Sequence, residues 1–214
     1  MSARLVFADS EAAADLLTFA ARAARLDDGL VHLRAAGGAL AMSCAALTSV
    51  GILDATPTVL GMRVLPIDPE LECDLVVQAS ALTADGPDAV ALPASATRTA
   101  WAGIAAPRTG WQQTGELAAS VIAARAQHGM ASVAHAVPDA AGEEAVRAVR
   151  SRIWGAPDEE LLGLPAGVGF AAFALGFIHG DEVATVRSAG VWTRVSLTRG
   201  HVLVRRRPSA AAAA

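Results

Sequence analysis

The first part of the chain combines one segment of helical spacing with several short apolar segments. Apolar residues recur at three- and four-residue intervals at Ala13, Leu16, Leu17, Ala20 and Ala24. This spacing predicts a helix over about residues 10–26, capped by Asp9 or Ser10. Strands are predicted over residues 3–8, 30–34, 39–45, 59–67, 71–81 and 89–92. Residues 35–38 favour a hairpin turn, so we expect one helix packed on a mostly antiparallel sheet.

The second part of the chain is mainly helical until its last segment. Helices are predicted over about residues 115–133, 142–154 and 166–178. Residues 183–206 alternate apolar and polar positions between two glycine-containing turns, which predicts a three-stranded meander. The predicted fold class is therefore α+β: a mostly antiparallel sheet with one N-terminal packed helix, a central helical segment and a C-terminal three-stranded meander.

The change in character near residue 93 suggests a division of the chain. We predict an N-terminal α+β sheet unit over residues 1–92 and a connecting loop with Trp and Arg over residues 93–111. The helical segment and the meander would occupy residues 112–207, either as a second domain or as one domain with the first unit. Residues 208–214, mostly Ala, are expected to form a disordered tail.

Composition removes several kinds of chemistry. The chain has no Lys, Asn or Tyr, so all 17 basic residues are Arg. Schiff-base catalysis and the lysine of a phosphate-binding loop are therefore excluded. The sequence also has no nucleophile elbow, dinucleotide-binding glycine motif, paired-cysteine motif or zinc-protease motif. We predict a non-catalytic ligand-binding or protein-interaction protein that needs no cofactor.

The cysteine content and the N-terminus bear on the compartment. Two Cys residues are too few for a disulfide framework, and the N-terminus lacks the long apolar core of a signal peptide. We therefore expect a reduced, cytoplasmic protein. The abundance of Ala, Arg, Gly and Pro is typical of a bacterial genome of high GC content.

The predicted connecting loop holds the strongest candidate for a binding site. Trp101, Arg108 and Trp111 lie close together in a chain that has only nine aromatic residues, four Trp and five Phe. Trp and Arg are the residues most enriched at interaction hot spots, and Arg108 could stack on an indole face. The alternative is that these residues form a small apolar cluster under the loop. The partner would be an unidentified protein or small molecule.

An acidic alternation suggests a second, catalytic hypothesis. Asp68, Glu70, Glu72 and Asp74 are two residues apart, so in a strand they would share one face. Carboxylates placed this close need a counter-charge, such as Mg²⁺ or Mn²⁺. The alternative function is thus a divalent-metal-dependent hydrolase using Glu70, Glu72 and Asp74, with His179 or His201 as a further group. The same pattern also fits a solvated sheet face paired with Arg.

The C-terminal segment is strongly basic. It contains Arg187, Arg194, Arg199, His201 and the run Arg205, Arg206 and Arg207. Arg suits bidentate contacts with carboxylate or phosphate, so an anion-binding patch is one interpretation. An edge strand protected from aggregation by its charge is another, and pairing with the acidic segment is a third. The net charge of −4 gives no general reason to bind nucleic acid, which we do not expect as a partner.

Residues 161–178 form an uncharged run that reaches the lower length limit of a membrane span. Pro165 and several Gly interrupt it, and acidic residues rather than basic anchors flank it. We therefore predict no membrane association. An apolar helix in this run would instead fill the core or a dimer interface, which makes a homodimer the expected oligomer.

Overall fold

A computed structural model describes residues 4–49, 51, 54–138 and 140–206 of the chain. The chain divides into two compact units. The first contains Met1–Ala45 and Met62–Ala105, and the second contains Ala46–Gly61 and Ala106–Ala214. The predicted α+β class, with its mostly antiparallel sheet and C-terminal meander, is confirmed. The tail predicted for residues 208–214 and Arg207 lie outside the described residues.

In its described residues, the first unit is built from one α-helix and short antiparallel strands. Its elements are β1 (Arg4–Val6), α1 (Ser10–Ala23), β2 (Leu30–Ala36), β3 (Ala39–Leu47), β4 (Thr58–Pro66), β5 (Cys73–Gln78), β6 (Thr83–Ala84) and β7 (Ala89–Ala91). The residues of β3 and β4 are divided between the two units. Within the first unit, β2 pairs with β3 and β5. A second sheet has the order β1-β7-β6.

Helix α1 forms where the hydrophobic spacing predicts it. The Asp9 side chain accepts a hydrogen bond from the Ala12 backbone N–H at 2.8 Å, which satisfies one of the free donors at the helix start. The buried face consists of Ala12, Ala13, Leu16, Phe19, Ala20 and Ala23. These residues repeat at three- and four-residue intervals, so a single face packs against β2 and β7.

The second unit contains the remaining elements. They are β8 (Gln112–Ala118), α2 (Ala119–Ala136), α3 (Glu143–Gly155), β9 (Pro157–Asp158), β10 (Leu164–Pro165), α4 (Gly167–Ala174), β11 (Val183–Ala189), β12 (Trp192–Leu197) and β13 (Gly200–Arg205). Antiparallel pairing joins β8 to β11, β11 to β12 and β12 to β13. β9 and β10 form a separate two-stranded sheet. Helices α2, α3 and α4 pack on one another, and α4 also contacts β13.

The segment before α2 differs from the prediction. The helix expected from residue 115 begins only at Ala119, because Gln112–Ala118 is strand β8. β8 pairs with β11, whose residues lie far along the chain, with Ala118 opposite Val183 and Glu116 opposite Thr185. The polar residues of β8 carry little strand preference of their own, so the long-range pairing decides the conformation.

Helix α4 is shorter than the predicted 166–178 and packs closely on α2. A Cβ added at Gly169 would lie 3.0 Å from the backbone N of Ala126 and 3.1 Å from the backbone O of Ile122. Gly176, with φ of +66°, ends the helix. The Phe177 N–H donates to the Ala172 carbonyl and the Gly176 N–H donates to the Phe173 carbonyl, a Schellman ending. Within the described residues, no helix has both the length and the apolar character needed to cross a membrane.

An aromatic cluster joins helices α2, α3 and α4 of the second unit. Trp154 of α3 is buried and stacks on Phe170 of α4, with ring centroids 4.8 Å apart. The indole lies directly against Gly129 of α2, where an added Cβ would overlap the ring atoms Cζ3 and Cη2. Gly129 therefore provides the space in which Trp154 packs.

We expect Gly129→Ala to destabilise the protein by about 1–3 kcal/mol, because the buried Trp154 ring must move to admit the methyl group. Urea unfolding followed by Trp fluorescence measures this. Gly103→Ala is the control, since a Cβ there meets no atom within 4 Å. Equal stability of the two variants would contradict the role assigned to Gly129.

Candidate functional site

The C-terminal meander presents nine side chains in three rows on one face. Register partners in antiparallel strands point to the same side, as do residues two apart within a strand. The first row is Thr185, Ser196 and His201. The middle row is Arg187, Arg194 and Leu203. The third row is Ala189, Trp192 and Arg205. We refer to these nine residues as the basic face.

The opposite side of the same strands forms part of the core of the second unit. Val186, Val195 and Val202 are register partners there, and all three are buried. The alternation of apolar and polar residues in β12 and β13 thus sets which residues reach the basic face. On the basic face itself, Trp192 and Leu203 are buried and Arg187, Arg194 and Arg205 are half-buried.

The basic face carries positive charge that no described carboxylate pairs with. Arg187 and Arg194 lie directly opposite each other on β11 and β12, an arrangement that is destabilising for like charges. Within the described part of the chain, neither forms an ion pair with a carboxylate, nor does Arg205. The carboxylate closest in register is Glu116 of β8, opposite Thr185, and it accepts a hydrogen bond from the Gln113 side chain at 3.0 Å.

Several polar atoms of the basic face are buried without a partner. Arg194 Nε, Ser196 Oγ and His201 Nδ1 have no hydrogen-bond partner among the described residues. Burial lowers the pKa of Arg194, and the charge of Arg187 lowers it further. Burial also lowers the pKa of His201, with a second contribution from Arg194. An unsatisfied buried polar group costs about 1–3 kcal/mol, so this part of the face is locally unfavourable.

Trp111 is fixed against the basic face by two contacts. Its Nε1–H donates to the carbonyl oxygen of Pro107 at 2.9 Å, and the Arg194 guanidinium lies 4.5 Å from its ring centroid. The cation on this indole is therefore Arg194 and not Arg108. Arg108 is exposed and forms no hydrogen bond or ion pair with any other described residue. The indole remains half-exposed.

Trp101 lies in the first unit, where it is buried and hydrogen-bonded. It is 8% exposed, and its Nε1–H donates to Asp28 Oδ2 at 2.7 Å. Its ring meets the His32 ring edge-on, with centroids 6.4 Å apart. The predicted pair Trp101 and Trp111 is thus divided between the two units. Of the predicted binding residues, Trp111 is the one that joins the basic face.

The predicted acidic stripe does not form. Strand β5 begins at Cys73, so Glu70 and Glu72 precede it, and the Glu70 N–H donates to Asp68 Oδ1 in a local turn. Asp74 pairs with residues of β2: its Oδ1 lies 2.7 Å from His32 Nε2 and its Oδ2 lies 3.7 Å from Arg34 Nε.

The residues for a metal centre are likewise not assembled in the described ranges. There, no three His, Cys, Asp or Glu residues lie close enough together to hold a metal ion. The two histidines of the metal-site hypothesis have other surroundings. The His179 N–H donates to Glu182, and His201 belongs to the basic face. Burial raises the pKa of the Cys73 thiol, which disfavours a reactive thiolate.

A groove of about 550 Å³ in the second unit was not expected from the sequence. It lies between α2, α3 and the turn after β9, and Arg125, His128 and Arg152 are among its lining residues. Asp158 neutralises Arg125, with 2.6 Å between its Oδ2 and the Arg125 Nε. Its other oxygen accepts from the Glu160 N–H at 3.1 Å, so this pair anchors the turn.

Two family models match the chain, one over its N-terminal half and one over its C-terminal half. Residues 1–103 match a domain of unknown function, DUF8010, and residues 106–209 match a domain of unknown function, DUF8185. The first match includes Trp101 and the second includes Trp111 and the basic face. No curated protein matches the chain.

Solved structures similar to this chain are bacterial DNA polymerase III beta subunits, or sliding clamps. The clamp from Bartonella birtlesii bound to griselimycin is 11% identical, with 96% of this chain and 65% of that chain covered and a TM-score of 0.49. The clamp from Caulobacter crescentus is 11% identical, with 98% of this chain and 66% of that chain covered and a TM-score of 0.48. The chain therefore spans 65–66% of the length of these two clamps.

We expect His201 to make the stability of the protein sensitive to acid. Its folded-state pKa is lowered, so the unfolded chain takes up the proton first and protonation favours unfolding. The free energy of unfolding should therefore fall as the pH decreases below the ordinary histidine value of 6.5. Urea unfolding above and below this pH should show a smaller decrease for His201→Gln than for the wild type. His135→Gln, at an exposed histidine of α2, is the matched control. Equal decreases in wild type and His201→Gln would contradict the effect.

Proposed function

We propose that this chain is a non-catalytic protein-interaction protein, and that Trp111 together with the basic face forms its contact surface. One observation carries the proposal. A half-exposed indole is fixed by the Pro107 carbonyl and the Arg194 guanidinium, beside cations that no described carboxylate neutralises. Trp and Arg in such positions are the side chains that contribute most to binding energy at protein interfaces.

Preorganisation supports the assignment. A flexible side chain loses about 0.5–1.5 kcal/mol of binding free energy when an interface immobilises it. Trp111 is already held at its ring edge and on one ring face, so little conformational freedom is left to lose. The same two contacts leave part of the indole available to a partner.

The shape of the surface favours a protein partner over a small molecule. Small-molecule sites are concave and enclose most of the ligand. The basic face is instead one side of a sheet, and its exposed parts are distributed over three strands. Protein interfaces have this form, with an aromatic and Arg-rich centre inside a polar rim.

Self-association is a second part of the proposal, and the structure changes its expected basis. We expected the apolar helix to fill either the core or a dimer interface, and the α4 residues Val168, Ala171 and Ala172 are buried. Large apolar side chains are nevertheless exposed on this unit, among them Phe173 at 44% and Val183 at 58%. A homodimer interface would bury such side chains.

Native mass spectrometry tests the homodimer. We expect a species of twice the 21.7 kDa chain mass at micromolar protein concentration. Phe173→Ser should shift the population towards the monomer if α4 contributes to the interface. A single-chain mass at every concentration tested would contradict self-association.

Trp111→Ala tests the contact surface. We expect the variant to remain folded, because the cation–π contact and the hydrogen bond that it removes are worth only about 0.5–1 and 0.5–1.5 kcal/mol. In affinity capture from an extract of the source organism, quantified by mass spectrometry, it should lose the partner that the wild type retains.

The matched control is Ile104→Ala, an exposed apolar residue of the same connecting segment, which should retain the partner. Two outcomes count against the proposal. Capture of the same partner by Trp111→Ala would show that the indole does not contribute to the interface. Unfolding of Trp111→Ala shows that the residue has a structural role.

A further inference from the structure

We infer that the basic face binds an acidic polypeptide segment in extended conformation, whose Asp or Glu carboxylates supply the counter-charge that the face lacks. The inference rests on the proposed function, because it names the chemistry that the partner must carry. It follows from three observations: the missing counter-charge, the spacing of the donors and the small aromatic surface left for stacking.

The first observation is the charge. Arg187, Arg194 and Arg205 lie on three adjacent strands, and none forms an ion pair within the described ranges. These Arg residues are half-buried, so each loses part of its hydration without gaining a carboxylate in return. Here the like charges of Arg187 and Arg194 face each other directly. A carboxylate placed between them would reverse this repulsion, and the fork of each guanidinium suits a carboxylate.

The second observation is the spacing. Rows of the face are two residues apart along the strands, which is about 6.6 Å, and neighbouring strands are about 4.8 Å apart. In an extended peptide, alternate side chains are also two residues apart and point to one side. One carboxylate of such a peptide would lie between Arg187 and Arg194. The next would lie over the row of Ser196 and His201.

The edges of the site follow from its neighbours. Glu116 of β8 stands beside Thr185, so an anionic segment is repelled at that end of the first row. Gln113 of β8 stands beside Arg187 in the middle row and is neutral. The attractive part of the face is therefore confined to β11, β12 and β13, where all of its Arg residues lie.

The third observation separates an acidic peptide from nucleic acid. Single-stranded nucleic acid binds through aromatic stacking as well as phosphate contacts. On this face Trp192 is buried, and one face of the Trp111 ring is covered by Arg194. The net charge of −4 also opposes the approach of a long polyanion. A short acidic segment contacts only the basic face, so the positive charge of that face, and not the net charge of the chain, determines its binding.

Fluorescence anisotropy with labelled peptides tests the inference. The probe is an extended peptide of alternating Glu and Thr, and its reference is the same peptide with Gln in place of Glu. We expect the wild type to bind the Glu peptide and not the Gln peptide, with an affinity that falls as salt is added. Arg187→Gln should weaken binding about tenfold, because a charge-assisted hydrogen bond is lost. Arg205→Gln should weaken it as well.

The control is Arg98→Gln, which removes one exposed Arg of the first unit and should leave the affinity unchanged. Arg187→Gln also relieves the repulsion between Arg187 and Arg194, so we expect its thermal midpoint to equal or exceed that of the wild type. A folded protein in which Arg187→Gln binds the Glu peptide as the wild type does would overturn the inference. Equal binding of the Glu and Gln peptides, or tighter binding of a single-stranded oligonucleotide of equal charge, would do the same.

The capture experiment, repeated with Arg187→Gln, separates this inference from the proposed function. If Trp111→Ala loses the partner and Arg187→Gln retains it, the interaction surface stands and the acidic ligand is wrong. If both variants retain the partner, the proposed function itself fails. If Arg187→Gln instead abolishes self-association, the face belongs to a second copy of this chain and the inference is overturned.

Discussion

The register of the C-terminal meander is the constraint on which the second unit depends. Side chains in a strand alternate with a period of two, so a shift of one residue would exchange the two faces of β11, β12 and β13. The observed register directs Val186, Val195 and Val202 into the core and places Arg187 and Arg194 opposite each other on the other side. Burial of three Val side chains contributes several kcal/mol, since each adds about 1.5–3 kcal/mol. This contribution exceeds the repulsion between two half-buried Arg residues.

The same register explains why a destabilising arrangement can persist. The core side of the meander is stabilised by apolar burial, which does not depend on what happens on the basic face. The basic face can therefore carry buried polar atoms at Arg194, Ser196 and His201 that have no partner among the described residues. Local conflicts of this kind, in a structure that is otherwise consistent, are typical of functional surfaces. In this chain the conflict and the fixed indole of Trp111 occur together.

Two glycine residues allow the helices of the second unit to pack closely. Gly169 of α4 allows a close approach to the backbone of α2, and Gly129 of α2 provides the space for Trp154. Both positions lie within helices, where glycine is unfavourable by about 1 kcal/mol relative to alanine. Close packing of α2, α3 and α4 offsets that loss. The helical layer in turn covers the apolar side of the meander through the contact between α4 and β13.

The sequence by itself determined the elements whose formation depends on neighbouring residues. Helix α1 and its Asp9 cap, helix α3 and the three-stranded meander all follow from local spacing, capping and turn residues. The early end of α4 could also be predicted from the sequence, because Gly176 is the residue type that a Schellman ending favours. Only the tertiary structure decided which distant residues meet. Strand β8 exists because it pairs with β11, Asp74 contacts His32 and Arg34, and the cation on Trp111 is Arg194. Each of these contacts joins residues that are far apart in the chain, and their energies depend on an arrangement that periodicity and composition do not encode.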